Sequence, residues 1–165
     1  MEQFVERAMA EYESSLIGYA TTILHDIDRA RDVVQDTFIR LCQQDIGKVS
    51  ANLKSWLFTV CRNRALDLIR KDRHLQDIDD IQWQRFPSND ATPDHHLEQN
   101  ERLEQVMKYL DRLSPNQREV ILLKFQQGLS YQEITKATGL SSGNVGFLIH
   151  TGLKRLRDLL PKDLY

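Results

Sequence analysis

Residues 113–156, LSPNQREVILLKFQQGLSYQEITKATGLSSGNVGFLIHTGLKRL, decide how this chain folds. Ser114-Pro115-Asn116-Gln117 reads as an N-cap, a proline at the first helical position and a glutamine placed to reach back. Ser130-Tyr131-Gln132-Glu133 repeats that logic, with Glu133 as the returning side chain. Ile134 and Ala137 continue the apolar face, Gly139-Leu140-Ser141 can make a tight turn, and helical spacing resumes from Asn144 to Leu156. Two short helices joined by a glycine-containing turn form the helix-turn-helix pattern. Its second helix commonly enters the DNA major groove, so the pattern points to nucleic acid as a partner.

Outside that stretch the apolar spacing is helical as well, and no segment alternates as a strand would. The expected fold class is therefore all-α, with two small helical domains joined by a flexible linker. Leu16, Tyr19, Ala20, Ile23 and Leu24 trace one stripe, ending near His25-Asp26. Asp28 is a candidate cap for a second helix carrying Ala30, Val33, Val34, Thr37, Phe38 and Leu41. After a polar connector with Gly47, a third stripe runs through Leu53, Trp56, Leu57, Val60, Cys61, Ala65 and Leu68. A bundle of three to four helices over 1–75 can enclose a small core, with Trp56 expected inside it and Phe58 and His74 as stacking candidates.

Residues 76–96 carry Pro87, Pro93, Ser88-Asn89-Asp90 and an acidic bias, the composition of a linker with one short turn near Ile78–Trp83. A four-helix domain over 97–165 follows. Its apolar face opens with Leu103, Val106, Met107 and Leu110, continues through Val120, Ile121 and Leu123 to Phe125, and ends in the helix-turn-helix.

Composition narrows the class. The 165 residues are 41% hydrophobic and 28% charged, enough to bury a core in each of two small domains. The longest apolar runs are a few residues, too short to span a bilayer. Met1-Glu2-Gln3-Phe4-Val5-Glu6 has neither a basic leader nor an apolar signal core, so a cytoplasmic location is expected. Cys42 and Cys61 lack paired ligands at metal spacing and read as reduced thiols.

Net charge is only −2, but its distribution is uneven. Residues 1–47 carry −5, 48–74 carry +5, 75–111 carry −6 and 112–165 carry +4. Two basic blocks separated by an acidic one fit two phosphate-facing surfaces, or simply solvated helix faces. Lys54, Arg62, Asn63, Arg64, Arg70, Lys71 and Arg73 crowd the third helix, with Ser50, Asn52 and Thr59 adding hydrogen-bonding groups. Cationic grooves with stacking surfaces hold single-stranded DNA.

Three ordered blocks make the pattern specific. Asp32-Val33-Val34-Gln35-Asp36-Thr37-Phe38-Ile39-Arg40-Leu41 comes first. Trp56-Leu57-Phe58 with Arg62-Asn63-Arg64-Ala65-Leu66-Asp67 comes second. Leu113-Ser114-Pro115 with Gly128-Leu129-Ser130-Tyr131-Gln132-Glu133-Ile134 closes the series. Over residues 10 to 160 the chain closely resembles the extracytoplasmic-function sigma factors of bacterial RNA polymerase. The resemblance implies a region 2 domain over 1–75, a linker over 76–96 and a region 4 domain over 97–165.

It further implies that Asp32, Gln35, Asp36 and Arg40 dock on core RNA polymerase, while Val33, Val34 and Phe38 build the core. Lys48, Ser50, Asn52, Lys54, Arg62 and Asn63 would face the melted minus-ten element on the non-template strand. Extruding a base costs a few kcal/mol, and stacking returns about 1–3 kcal/mol per base. Melting thus needs protein contacts and polymerase together.

Ser141, Ser142, Asn144, His150, Lys154 and Arg155 would face the minus-thirty-five duplex. Many relatives place cations where this chain has Gly146, Phe147, Leu148, Thr151 and Gly152, so a weaker electrostatic grip on that duplex is expected. The resemblance implies promoter DNA, double-stranded and melted, as a partner, allows an anti-sigma factor, and implies no enzyme activity, cofactor, metal or membrane insertion. The apolar linker residues Ile78, Ile81, Trp83 and Phe86 could pack on such a regulator, on polymerase or between the domains.

Three other readings start from single features. A helix-turn-helix regulator would use the second domain without polymerase. A metal-dependent phosphoesterase would start from Asp94-His95-His96 and Glu98, a cluster with no second ligand group nearby. A helical protein-interaction module would leave both basic blocks without a role.

Overall fold

In the computed structural model, residues 1–76 and 97–164 are described, and they fall into two helical units. The first unit contains α1 (Glu2–Leu24), α2 (Ile27–Cys42), a single helical turn α3 (Ile46–Val49), a 3-10 turn (Ser50–Asn52) and α4 (Leu53–Gln76). The second contains α5 (Leu97–Leu110), α6 (Pro115–Ile121) with a π-helical turn continuing it (Leu122–Gln126), α7 (Tyr131–Thr138) and α8 (Ser142–Leu159). Among the described residues there is no strand, and no helix is long and apolar enough to cross a membrane. Residues 77–96 of the expected linker lie outside the described residues. So do the expected Ile78–Trp83 turn, the apolar linker residues and the Asp94-His95-His96 cluster.

Helix boundaries in the first unit follow local chemistry. α1 ends at His25, which takes a left-handed conformation (φ 55°) and donates its N–H to the Thr21 carbonyl at 2.8 Å. Asp26 rather than Asp28 caps α2, its Oδ1 accepting from the N–H groups of Asp28 (2.9 Å) and Arg29 (3.1 Å). Asp28 instead lies in the first turn, where its charge suits the helix dipole. The expected connector is helical: Asp45 Oδ1 accepts the Gly47 N–H at 2.9 Å and starts α3.

The core of this unit joins Leu16, Tyr19, Ala20 and Leu24 of α1 to Val33, Val34, Phe38 and Leu41 of α2 and Leu57, Phe58, Cys61 and Ala65 of α4. The Tyr19 and Phe58 rings meet at 5.3 Å with planes tilted by 58°. Burying one side chain of this size contributes about 1.5–3 kcal/mol. An exposed ion pair contributes about 0–1 kcal/mol. The apolar layer therefore sets the stability of the bundle.

The second unit depends on caps. Ser114 Oγ accepts the Gln117 N–H (3.3 Å) while Gln117 Oε1 accepts the Ser114 N–H (3.2 Å). Ser130 and Glu133 form the same reciprocal pair at 3.1 and 2.8 Å. Ser141 caps α8 by accepting the Asn144 N–H at 3.2 Å. Gly139 (φ 75°) closes α7 in the left-handed region, completing the turn into α8. Each serine cap contributes about 1 kcal/mol.

α6 and α8 cross closely. Gln117 Nε2 donates to Thr151 Oγ1 at 3.1 Å, so one side chain closes the α6 cap and ties α6 to α8. Gly152 is buried at this crossing, and a Cβ there would lie 2.6 Å from Ile121 Cδ1. Leu110, Leu113, Ile121, Leu122 and Leu156 form a buried cluster beside it. Phe125, expected on the core face, is instead 61% exposed. The π-helical turn shifts the register after Ile121 and rotates Phe125 outward.

Candidate nucleic-acid interfaces

α2 buries Ala30, Val33, Val34, Thr37, Phe38 and Leu41 and leaves the opposite side to solvent. That side carries exposed Asp32, Gln35 and Arg40, half-buried Asp36, and Ile39 at 57% exposure. Asp36 is engaged inside the unit. Its Oδ2 lies 2.5 Å from Arg64 Nε on α4 and 3.3 Å from Arg40 Nε. The Arg64 contact is an ion pair without hydrogen-bond alignment. Asp32 and Gln35 are thus the more available members of the expected docking group.

Beside this face opens a cleft of about 490 Å³, lined by Asp36, Ile39, Arg40, Gln43 and Gln44 of α2 and Trp56 and Val60 of α4. It can accept an apolar side chain flanked by amide and charged groups. The structure reverses two aromatic assignments here. Phe58, expected as a stacking candidate, is 0% exposed in the core, while Trp56, expected in the core, is half-buried and lines the cleft. The buried side of α4 is set by Leu57, Phe58, Cys61 and Ala65, and this leaves Trp56 and Val60 at its margin. Trp56 was missed because its spacing to Leu53 and Val60 fits a helix stripe as well as the true one does. His74 is exposed.

The six residues expected at the minus-ten element do not form one patch. Lys48, Ser50 and Asn52 are exposed on the α3 and 3-10 turns, Lys54 and Arg62 are half-buried and Asn63 is exposed. Nine residues separate Lys54 from Asn63, or two and a half turns, so they leave α4 on opposite sides. Asn63 instead shares a face with Trp56, seven residues and nearly two full turns earlier. Arg64 of the basic block pairs with Asp36 of α2, and Arg70 pairs with Asp67 at 3.3 Å along α4 itself. Part of the basic block is therefore neutralised within the bundle, while Arg29 of α2 pairs with Asp72 of α4 at 2.7 Å.

On α8 the buried stripe is Val145, Ile149, Gly152 and Leu156. Ser141, Ser142, Asn144, His150, Lys154 and Arg155 are all exposed on α8 or its cap. The five positions lacking the expected cations separate into two groups. Gly152 is buried against α6 and Thr151 bonds to Gln117, so those two are shaped by packing. Gly146 and Leu148 are partly exposed, and Phe147 is 64% exposed. Phe147 was not singled out as a contact residue, although an aromatic flanked by small residues outside the apolar stripe was the available signal. Lys124 Nζ lies 5.0 Å from the Tyr131 ring centroid, a cation–π contact joining the π-helical turn to α7.

Two family descriptions match the chain in order: sigma-70 region 2 over residues 8–75, and sigma-70, region 4 over residues 103–156. The chain is 28% identical over 172 residues to the ECF RNA polymerase sigma factor SigX of Bacillus subtilis (strain 168), covering 99% of this chain and 89% of that one. It is 31% identical over 151 residues to the ECF RNA polymerase sigma factor SigL of Mycobacterium tuberculosis (strain H37Rv), covering 89% and 83%. Among solved structures, the sigma factor RpoE of Bartonella quintana, crystallised with the anti-sigma factor NepR, superposes with a TM-score of 0.71. That match has 28% identity and covers 99% of each chain.

Proposed function

Because the chain belongs to the extracytoplasmic-function family of RNA polymerase sigma factors, we propose that its two units divide the work of promoter-specific initiation between core polymerase and DNA. The observation that carries this is the pairing, in order, of a region 2 unit and a region 4 unit in one chain. We assign region 2 to residues 1–75, a linker to 76–96 and region 4 to 97–165.

In this reading the α2 flank around Asp32 and Gln35, with Asp36 and Arg40, docks on core RNA polymerase. Exposed acid and amide groups on a rigid helix support that assignment, since they can meet basic or polar groups without disturbing the core beneath. The melted minus-ten strand is contacted at separate points, by Asn63 with Arg62 and, from the other side of α4 and the turns before it, by Lys54 with Lys48, Ser50 and Asn52. Ser141, Ser142, Asn144, His150, Lys154 and Arg155 contact the minus-thirty-five duplex. The anti-sigma partner of the Bartonella RpoE supports regulation by such a protein here. The protein acts in the cytoplasm, where polymerase and promoters are, and as an initiation factor it lends polymerase its specificity rather than catalysing a reaction of its own.

In vitro transcription with core polymerase on a library of random promoters tests this reading. Transcripts that require the chain and share two spaced upstream elements are expected. Binding to DNA without core polymerase, and no chain-dependent transcript, would favour an operator-binding regulator and overturn it.

A further inference from the structure

Phe147 stands where α8 is farthest from its own core. At 100° per residue it points about 140–200° away from Val145, Ile149, Gly152 and Leu156, the stripe that packs inward. A large aromatic side chain 64% exposed at the centre of an outward face lies outside the unit's core and gains little from burial there. Its neighbours on that side leave room around it: a Cβ built at Gly143 or Gly146 meets nothing within 4 Å. Lys154 lies close to the same line two turns on, with His150 and Asn144 to either side, all exposed. A greasy centre, bare backbone before it and a cation beyond it suit a polyanion with an apolar spot on its floor. In the major groove the thymine C5-methyl is the apolar group on a base edge, and phenylalanine is among the side chains that contact it.

We propose that Phe147 is a specificity-determining residue whose ring packs on the C5-methyl of one thymine in the upstream promoter duplex. Gly143 and Gly146 let the α8 backbone approach the base edges, and Lys154 holds a flanking phosphate. This inference rests on the promoter-binding role of region 4. It adds an apolar reading contact to the polar and cationic ones already assigned to α8.

The test uses the full chain assembled with core polymerase and a duplex library randomised across the upstream element. Wild type should enrich thymine at one position, and Phe147→Ala should flatten that position while preserving the others. Phe147 is exposed, so the variant keeps its fold, which circular dichroism checks. Replacing that thymine by deoxyuridine removes only the methyl group. Wild-type binding should then fall about three- to fivefold, as burial of one methyl-sized group predicts, and Phe147→Ala should not respond. Enrichment of an upstream element with equal binding to thymine and deoxyuridine would overturn this proposal and leave the sigma-factor reading intact. A Phe147→Ala variant that selects an unchanged upstream element would also overturn it. No enrichment and no core binding would overturn both.

Discussion

The Arg64 guanidinium of α4 lies 2.5 Å from the Asp36 carboxylate of α2, and Arg40 approaches the same oxygen at 3.3 Å. One carboxylate thus holds two cations at the junction of the helix expected to meet polymerase and the helix expected to meet DNA. The two pairs differ in burial: the Arg64 side chain is 28% exposed and that of Arg40 is 48% exposed. Removing Arg64 leaves the half-buried Asp36 with its more exposed partner alone. Arg64→Met should cost about 1–2 kcal/mol, and Arg40→Met less than about 0.5 kcal/mol. Urea unfolding followed by Trp56 fluorescence in a Trp83→Phe background measures both, and equal costs would contradict the assignment.

Gly152 and Gly146 sit on one helix with opposite constraints. At Gly146 nothing lies within 4 Å of an added Cβ, so Gly146→Ala should stabilise the unit by up to about 1 kcal/mol through helix propensity. At Gly152 the added carbon would meet Ile121 Cδ1 at 2.6 Å and Gln117 Cβ at 3.4 Å. Displacing the buried Ile121 cancels the propensity gain, so Gly152→Ala should be neutral or destabilising by about 1 kcal/mol. Ile121→Val removes the obstructing atom, and Gly152→Ala should be better tolerated in that background. Thermal melts of the four variants decide this, and additive effects would contradict the close crossing.

Local chemistry explains why so much of the second unit was readable in sequence. The reciprocal caps at Ser114 and Ser130 and the left-handed Gly139 each depend on residues within one turn, so type and spacing suffice. Features made by contacts between helices were not readable. The two-residue step from Trp56 to Phe58 decides which ring is buried, and it depends on where α1 and α2 press on α4. The Asp36–Arg64 pair spans 28 positions, and no helical period relates its members. Gly152, at a position expected to lack a DNA-binding cation, is fixed by Ile121 and Gln117 of another helix packed beside it. The nine-residue spacing of Lys54 and Asn63 already places them on opposite sides of a helix, whereas the half-buried Trp56 on the Asn63 side depends on packing between helices.

Cys61 and Cys42 should react very differently. Burial pushes the Cys61 thiol up to about 12, against a weaker opposing hydrogen bond with Thr37, whereas Cys42 is exposed. At pH 8 iodoacetamide should label Cys42 readily and reach Cys61 only on unfolding. The protonated thiol favours the folded state, so its contribution is complete below about pH 9 and is lost as pH rises toward about 12. Compared with Cys61→Ala, wild type should lose additional stability over that range in urea titrations at stepped pH. Rapid labelling of both thiols in the folded protein would refute the buried assignment.

Ser141 can be tested for its two roles separately. Ser141→Ala removes the cap on Asn144 and should destabilise α8 by about 1 kcal/mol. Ser141→Asp keeps an acceptor at the cap but sets a negative charge at the expected phosphate-facing end. It should melt like wild type while binding upstream duplex more weakly, most clearly at low salt. Unchanged duplex binding by Ser141→Asp would remove this end of α8 from the interface.

The central claim, that the α2 flank grips polymerase while separate faces meet promoter strands, is tested most directly by one paired binding measurement. Labelled wild type, Asp32→Lys and Asn63→Ala chains are titrated with core polymerase, and open-complex formation is then followed at saturation. Wild type should form a one-to-one complex, and Asp32→Lys should bind at least about tenfold more weakly, a loss near 1.4 kcal/mol. At saturation it should still melt the promoter, while Asn63→Ala should bind core normally and melt poorly. The same defect in both variants, or no stoichiometric complex with wild type, would contradict the account.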